Sequence, residues 1–298
     1  MTVHHAVCPA CADTDIRENL RIRDHSVSGE VFQVWHCMNC HLKFTQDAPD
    51  SNSIGRYYQS EDYVSHTETK KGLVNRLYHA VRNHTLQQKR KLISDKVPSA
   101  HPAILDYGCG TGALLKVMKD AGWMTTGLEP DPRARQNGLD LHGIRAEAPD
   151  RLSTMADASF DVVTLWHVLE HVHDLQDTLD HLRRVLKPNG VMYIAVPNHK
   201  SSDAMHYGGS WAAWDLPRHL YHFSPESMRA LMTRKGLTVT HTLPMWFDAF
   251  YVSLLSEKYR KSGILGYPAA FIQGMVSNLT AWSHSGRCSS LIYVVRKK

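Results

Sequence analysis

From Ala103 onward, short apolar runs alternate with stretches whose apolar residues recur at helical spacing. Ala103, Ile104 and Leu105 form the first run, which suits a buried parallel strand. Ala113 to Ala121 carries Leu114, Leu115, Val117, Met118 and Ala121 on one face, and Gly122 stands where a helix C-cap glycine belongs. Further strands are predicted over 124–128, 144–148, 160–167 and 191–196, and a helix over 178–186 that ends at Lys187-Pro188-Asn189-Gly190. Ser224 as N-cap with Pro225 behind it opens another helix, which Gly236 closes. Strands over 237–242 and 291–295 complete the series. Such alternation predicts an α/β fold built on a doubly wound, mostly parallel sheet.

Two stretches stand outside that rhythm. Residues 73–93 read as a helix leading into the core, with Leu73, Leu77, Ala80, Val81, Leu86 and Ile93 apolar and many basic residues elsewhere. Residues 248–287 form an insertion before the last strand. Its apolar patches are interrupted by Pro268, Gln273, Gly274, Ser277 and Asn278, so it lacks the roughly 20 predominantly apolar residues of a spanning helix. Helices over a cleft, or an element in peripheral contact with a membrane, are the two readings of it.

Composition narrows the class. The chain has 298 residues, 43% hydrophobic and 21% charged, as in a soluble globular protein. A net charge of +5 without a Lys/Arg block argues only weakly for an anionic partner and makes nucleic acid an unlikely one. Met-Thr-Val-His-His has no apolar segment of signal-peptide type, so the expected location is cytoplasmic. Oligomeric state is not legible.

The cysteines change the picture at the N-terminus. Cys8 and Cys11 form one CxxC pair, and Cys37 and Cys40 a second. Two such knuckles complete a closed tetrahedron around zinc, which makes the site structural. Residues 31–35 alternate like a strand entering the second knuckle, and 42–45 read as the strand leaving it. His36 and His41 flank that knuckle as alternative ligands, and free thiols or a redox pair are the other readings. The expected organisation is a zinc-ribbon-like domain over 1–46, a linker and helical lid over 47–100, and a main domain over 101–298.

The stretch Ile104-Leu-Asp-Tyr-Gly-Cys-Gly-Thr-Gly112 carries the candidate chemistry. Gly108, Gly110 and Gly112 permit positive φ and close approach of a ligand to bare backbone. A dinucleotide fingerprint fits these glycines too, with Glu129 as its acid. Asp106 at the strand tip separates the readings: a carboxylate there repels pyrophosphate but pairs with a ligand ammonium. Here the stretch resembles motif I of class I S-adenosylmethionine (SAM)-dependent methyltransferases. Downstream, the Phe160-Asp161 strand, the Leu169-Glu170-His171-Val172 turn, Arg184-Val-Leu-Lys-Pro-Asn-Gly190 and Val196-Pro-Asn198 resemble the later motifs of that family. The resemblance spans roughly residues 100–245. It implies a Rossmann-like sheet of seven strands, SAM as cofactor, and cofactor contacts from Asp106, Gly108, Cys109, Gly110, Glu129, Pro130, Glu147 and His167. Tyr63 and His66, ahead of the core, are expected to fold over the methionine end.

Methyl transfer to an alcohol or carbon acid needs a base, and His167, His171, His199, His219 and His222 are candidates. The segment Arg218-His-Leu-Tyr-His-Phe-Ser224 looks like that of zinc-containing sugar C-methyltransferases, which also begin with paired CxxC knuckles. That likeness implies His219 as base, with His222 and His171 as further catalytic candidates, and a small-molecule acceptor such as a sugar nucleotide or lipid-linked sugar. The chain has Pro217-Arg218 where those enzymes have His-Glu. His167-x-x-Glu170-His171 is also similar to the Glu-x-x-Glu-His motif of metal-dependent methyltransferases, with His in the first place. An RNA or protein methyltransferase, and a binding protein built on a SAM platform, are the alternatives.

Overall fold

The computed structural model describes residues 1–58, 73–95, 97 and 100–298. At the N-terminus, β2 (Ile16–Arg23), β3 (Val31–Cys37) and β4 (Lys43–Gln46) form an antiparallel meander, with Trp35 opposite Phe44. Gly29 makes the β2–β3 turn at φ 71°. Asp24 caps that turn, accepting from the amides of Ser26, Val27 and Ser28. The flanking pair β1 (Thr2–Val3) and β5 (Ala48–Pro49) ties the N-terminus to the exit of the meander.

The main sheet comprises β6 (Ala103–Tyr107), β7 (Met124–Leu128), β8 (Phe160–Trp166), β9 (Leu186–Pro197), β11 (Leu237–Pro244) and β12 (Ser290–Lys297). Its order is β7-β6-β8-β9-β12-β11, and β12 runs against both of its neighbours. The apolar runs are explained by burial on both faces. Ile104, Val162 and Val191 point to the layer of α1 (Leu73–Ser94) and α2 (Ala113–Asp120), where Ile93, Leu115 and Met118 meet them. Leu105, Val163 and Met192 point to the opposite layer, under α4 (Leu175–Val185) and α6 (Pro225–Arg234). Between β7 and β8 lies α3 (Pro132–His142), N-capped by Asp131.

Six strands pair in the described sheet, where seven were expected. The segment Ile144-Arg-Ala-Glu-Ala148 contributes only a Leu128–Glu147 bridge beside β7. Ile144 is buried, but Arg145 and Glu147 are exposed. Such alternation cannot supply two buried faces, and Pro149 follows at once. The helix end expected at Lys187–Gly190 instead lies within β9, where Leu186 to Val191 stands opposite only Phe160 to Val162 of β8, a shift of register.

Two additions sit at the carboxyl ends of the parallel strands. A loop after β9, with the short α5 (Ser202–Tyr207), buries Trp211 and Trp214 against Ile22 and Val34 of the meander. This loop supplies β10 (Tyr221–His222), which pairs with β4 and extends the N-terminal sheet to four strands. The insertion folds as α7 (Asp248–Tyr259) and α8 (Gly266–Ser283). None of the described helices is long and apolar enough to cross a membrane.

Candidate active site

The glycine loop follows β6 directly. Gly108 takes φ 75°, and a Cβ there would meet Val168 at 2.3 Å, so the loop and the turn after β8 touch. Gly112 is excluded from bearing a side chain in the same way by Ile144. At Gly110 (φ 54°) a Cβ would meet nothing within 4 Å. Among the described residues nothing packs against this face of the loop, which leaves it open toward a ligand. The amides of Gly108 and Cys109 donate to the Leu128 carbonyl, which binds the loop to the tip of β7.

Two carboxylates bracket this loop. Asp106 is 3% exposed and accepts from Thr164 Oγ1 at 2.6 Å. Burial pushes its pKa up to about 6, against the pull of Thr164 and Lys89. Glu129 accepts from the Gly110 amide with one oxygen and from the Asp131 amide with the other, both at 2.9 Å. Burial raises its pKa as well. Each carboxylate oxygen has lone pairs to spare. A buried acid at the tip of β6, an acid at the tip of β7 and an unobstructed glycine between them fit the ammonium, the ribose hydroxyls and the body of SAM. Once bound, SAM supplies an activated methyl group on a sulfonium.

The remaining expected cofactor residues are placed unevenly. Pro130 is exposed beside Glu129. Glu147 extends the β7 edge through its backbone, while its side chain pairs with Arg151 at 3.3 Å. The Cys109 side chain turns inward against Gly127, and burial raises its thiol pKa. Tyr63 and His66 lie outside the described residues.

The tip of β8 gathers the histidines. His167, at φ 57°, is clamped between Asp248 of α7 (3.0 Å) and Glu170 (3.5 Å). Burial would lower its pKa, but Asp248 and then Glu170 outweigh that and raise it to about 10. Glu170 is 1% exposed, and neither of its oxygens accepts a hydrogen bond from the described residues. Burial disfavours its charge, yet the neighbouring His167 holds its pKa below the usual range.

His171 and His219 stand edge to face with ring centroids 4.6 Å apart. His171 Nδ1 lies 3.0 Å from the Arg218 carbonyl and His219 Nδ1 2.9 Å from the Ala213 carbonyl. A carbonyl only accepts, so each Nδ1 carries a proton and each Nε2 of the neutral ring keeps a lone pair. Burial, then His219, pushes the pKa of His171 down to about 4. Ligand-capable atoms of Glu170, His171 and His219 all lie within 4.8 Å of one another, close enough to converge on one small group. His222 is turned away toward Thr45 (3.4 Å) and Trp214, and burial holds its pKa well below the ordinary value.

Several members of this neighbourhood carry no local sequence signal. Lys89 of α1 sits 4.0 Å over the Trp166 ring and interacts electrostatically with Asp106 and Asp248; it is one basic residue among many on its helix. Asp248 lies far from His167 in sequence. Arg218, in the Pro217-Arg218 departure noted above, pairs with Asp215 and reaches the Tyr57 carbonyl (3.2 Å) and Ser26 Oγ (2.8 Å). It thereby pins the histidine loop to the N-terminal meander.

The four cysteines converge as their spacing predicts. Cys8 and Cys40 sulfurs are 3.5 Å apart, those of Cys11 and Cys37 3.6 Å, and all four lie within 4.8 Å. A tetrahedron of thiolates at about 2.3 Å from zinc has edges of about 3.8 Å. The set fits that ion. His36 and His41 stack on each other with centroids 5.6 Å apart and are not part of the cluster.

Comparison with known proteins bears on family and fold. A family profile described as "Methyltransferase domain" matches residues 78–242, more than half of the chain. A ubiquinone biosynthesis O-methyltransferase of Haemophilus ducreyi is 35% identical over 133 residues, covering 40% of this chain and 56% of the relative. Its namesake from Caulobacter vibrioides is 32% identical over 111 residues, covering 35% and 44%. The chain thus spans about half the length of the curated relatives it matches. Among solved structures, a putative sarcosine dimethylglycine methyltransferase from Galdieria sulphuraria superposes with TM-score 0.51 at 18% identity, covering 75% of this chain and 88% of that one. Geranyl diphosphate C-methyltransferase from Streptomyces coelicolor gives TM-score 0.51 at 16% identity, covering 78% and 86%. At these identities the structural likeness speaks to fold.

Proposed function

We propose, from the premise that this chain belongs to the class I SAM-dependent methyltransferases, that it methylates a hydroxyl of a small molecule with His219 as base. The carrying observation is the tautomer of His219. Its Nδ1–H is held by the Ala213 carbonyl, which leaves the Nε2 lone pair as acceptor, with Asp215 Oδ2 3.7 Å from Nε2 and Glu170 in the same cluster. The contact of Gly108 with Val168 brings this turn against the cofactor loop.

Asp106 pairs with the cofactor ammonium and Glu129 with its ribose, so the acceptor enters from the β8 side. An acceptor O–H donating to His219 Nε2 loses its proton there as its oxygen takes the methyl. Glu170 stabilises the imidazolium that forms, and the neutral His171 completes the wall without adding competing charge. His222 has a packing role under this reading, because its Nε2 faces Thr45 and its ring packs on Trp214.

For the acceptor, relatives named as O-methyltransferases favour oxygen on a small molecule. They shift weight from the sugar nucleotide that the His219–Ser224 segment implies. One structural zinc on Cys8, Cys11, Cys37 and Cys40 completes the reading, in a ribbon over 1–46 that buttresses the base through the β4–β10 pair. Residues 47–100 then serve as linker and lid, and 101–298 as the catalytic unit with its insertion.

Incubation with methyl-labelled SAM and separate pools of phenols and sugar nucleotides, read by product mass and by hydrolytic stability of the new bond, tests the assignment. A methyl ether is expected. A C-methyl or N-methyl product would refute the hydroxyl acceptor.

A further inference from the structure

The α7–α8 hairpin is built inside out. Along α8 the buried positions are Ala270, Gln273, Gly274, Ser277 and Ala281, all small or polar. The exposed ones include Tyr267 (65%), Phe271 (61%), Met275 (43%), Leu279 (58%) and Trp282 (82%), spaced by three and four residues along one stripe. Ile264 before it is 83% exposed. α7 follows the same rule, with Ala249, Ser253 and Ser256 inside and Leu254 outside.

The inward face is polar because its partners are polar. Ser277 Oγ donates to the buried Asp203 at 2.9 Å, and Ser256 Oγ accepts from the Ala212 amide at 2.9 Å. Gly274 lets the two helices close, since a Cβ there would meet Phe250 at 2.5 Å. The hairpin is thus firmly seated through small and polar residues, and its outward apolar stripe is surplus to folding. A contiguous stripe of this kind marks a surface that meets something apolar.

The charges around it choose the occupant. Of the acids in 248–287, Asp248 is held by His167 and Glu257 is buried against Ser262. The exposed charged side chains there are Lys258, Arg260, Lys261 and Arg287, all basic. An isologous contact with a second copy would set this single-sign rim against itself. An anionic lipid surface answers both the apolar stripe and the basic rim, and tyrosine and tryptophan at the two ends of the stripe suit the headgroup level.

We propose that the α7–α8 hairpin is a docking surface for a phospholipid bilayer carrying anionic headgroups. It would bring the bilayer beside a cavity of about 270 Å³ lined by Lys89, Leu92, Trp246, Phe247 and Asp248, between α1 and the start of the hairpin. The proposal does not rest on the catalytic reading, and its test needs neither cofactor nor acceptor.

Co-sedimentation of the full chain with vesicles of phosphatidylcholine, alone or mixed with phosphatidylglycerol, measures it. The wild type is expected to bind the mixed vesicles and to bind about tenfold more weakly to the neutral ones or in high salt. Phe271→Glu with Trp282→Glu should abolish binding to both, and Lys261→Glu with Arg287→Glu should remove only the preference for the anionic mixture. Circular dichroism melting verifies that each variant is folded. Wild-type protein that ignores the mixed vesicles overturns the proposal, as does binding that survives the Phe271/Trp282 pair. Sedimentation velocity showing a dimer that this pair dissociates, without vesicle binding, would assign the face to a second copy instead.

Discussion

Asp106→Asn should separate cofactor binding from fold stability, moving them in opposite directions. Burial raises the Asp106 pKa from 3.8 to about 6, which corresponds to about 3 kcal/mol of ionisation cost in the fold. A carboxylate whose folded pKa lies above its unfolded value favours the fold while protonated. That contribution is complete below pH about 4 and is lost as pH rises through about 6. The amide carries no such penalty, so above pH 6 the cofactor-free variant should gain up to about 3 kcal/mol, less the cost of burying its own polar group. The gain should vanish near pH 4. SAM binding should behave oppositely. Loss of a charge-assisted partner to the ammonium costs roughly 1.5–3 kcal/mol, or about 10- to 150-fold in Kd. Wild-type Kd should also rise by about tenfold per pH unit below 6, and the variant should show a much weaker dependence. Calorimetric titration of SAM from pH 5 to 8, with thermal melts over the same range, reads both. Wild-type affinity in Asp106→Asn, or a pH dependence that the substitution leaves unchanged, would refute the pairing of this acid with the cofactor.

Three further outcomes follow from the same geometry. Gly110→Val should abolish SAM binding, because its branched side chain enters the face of the loop that packing leaves open; calorimetry checks it, and wild-type affinity would remove the loop from the site. Metal analysis should find about one zinc per chain, lost in Cys37→Ser; zinc retained in both Cys37→Ser and Cys40→Ser would demand another ligand set. Asp248→Asn should bring the titration of His167, followed by NMR, down from about 10 toward the ordinary histidine range. Because that pKa is raised, the His167–Asp248 pair stabilises the fold fully below pH about 6.5 and loses its effect as pH climbs toward 10. An unmoved titration would mean that Glu170 alone sets it.

The parallel core was legible because each of its strands is buried on two faces. Ile104 and Leu105, or Val162 and Val163, must both be apolar when helices cover both sides. The glycine loop and its two carboxylates were legible for a related reason, since they are local to strand tips. The short segment after α3 was over-read as a strand, because Arg145 and Glu147 leave it only a single bridge. Long-range partners were not legible. Nothing near His167 announces Asp248, and nothing near Cys40 announces that β4 will pair with Tyr221 and His222. His219 was found through a resemblance, but its tautomer depends on the Ala213 carbonyl, which only the folded loop supplies. Glu170 stood within a recognisable turn, yet that neither of its oxygens accepts a hydrogen bond from the described residues follows only from the fold.

The central claim is tested most directly by methyl transfer in His219→Asn, once the labelled-SAM screen has identified an acceptor. The variant should bind SAM with nearly unchanged affinity, because His219 touches neither Asp106 nor Glu129 in the pairing described. Its turnover at saturating SAM should fall by roughly 10²–10⁴, the usual share of general base catalysis. His222→Asn should do much less. If His219→Asn keeps its rate while His171→Asn loses it, the proton goes elsewhere and the assignment of the base is wrong.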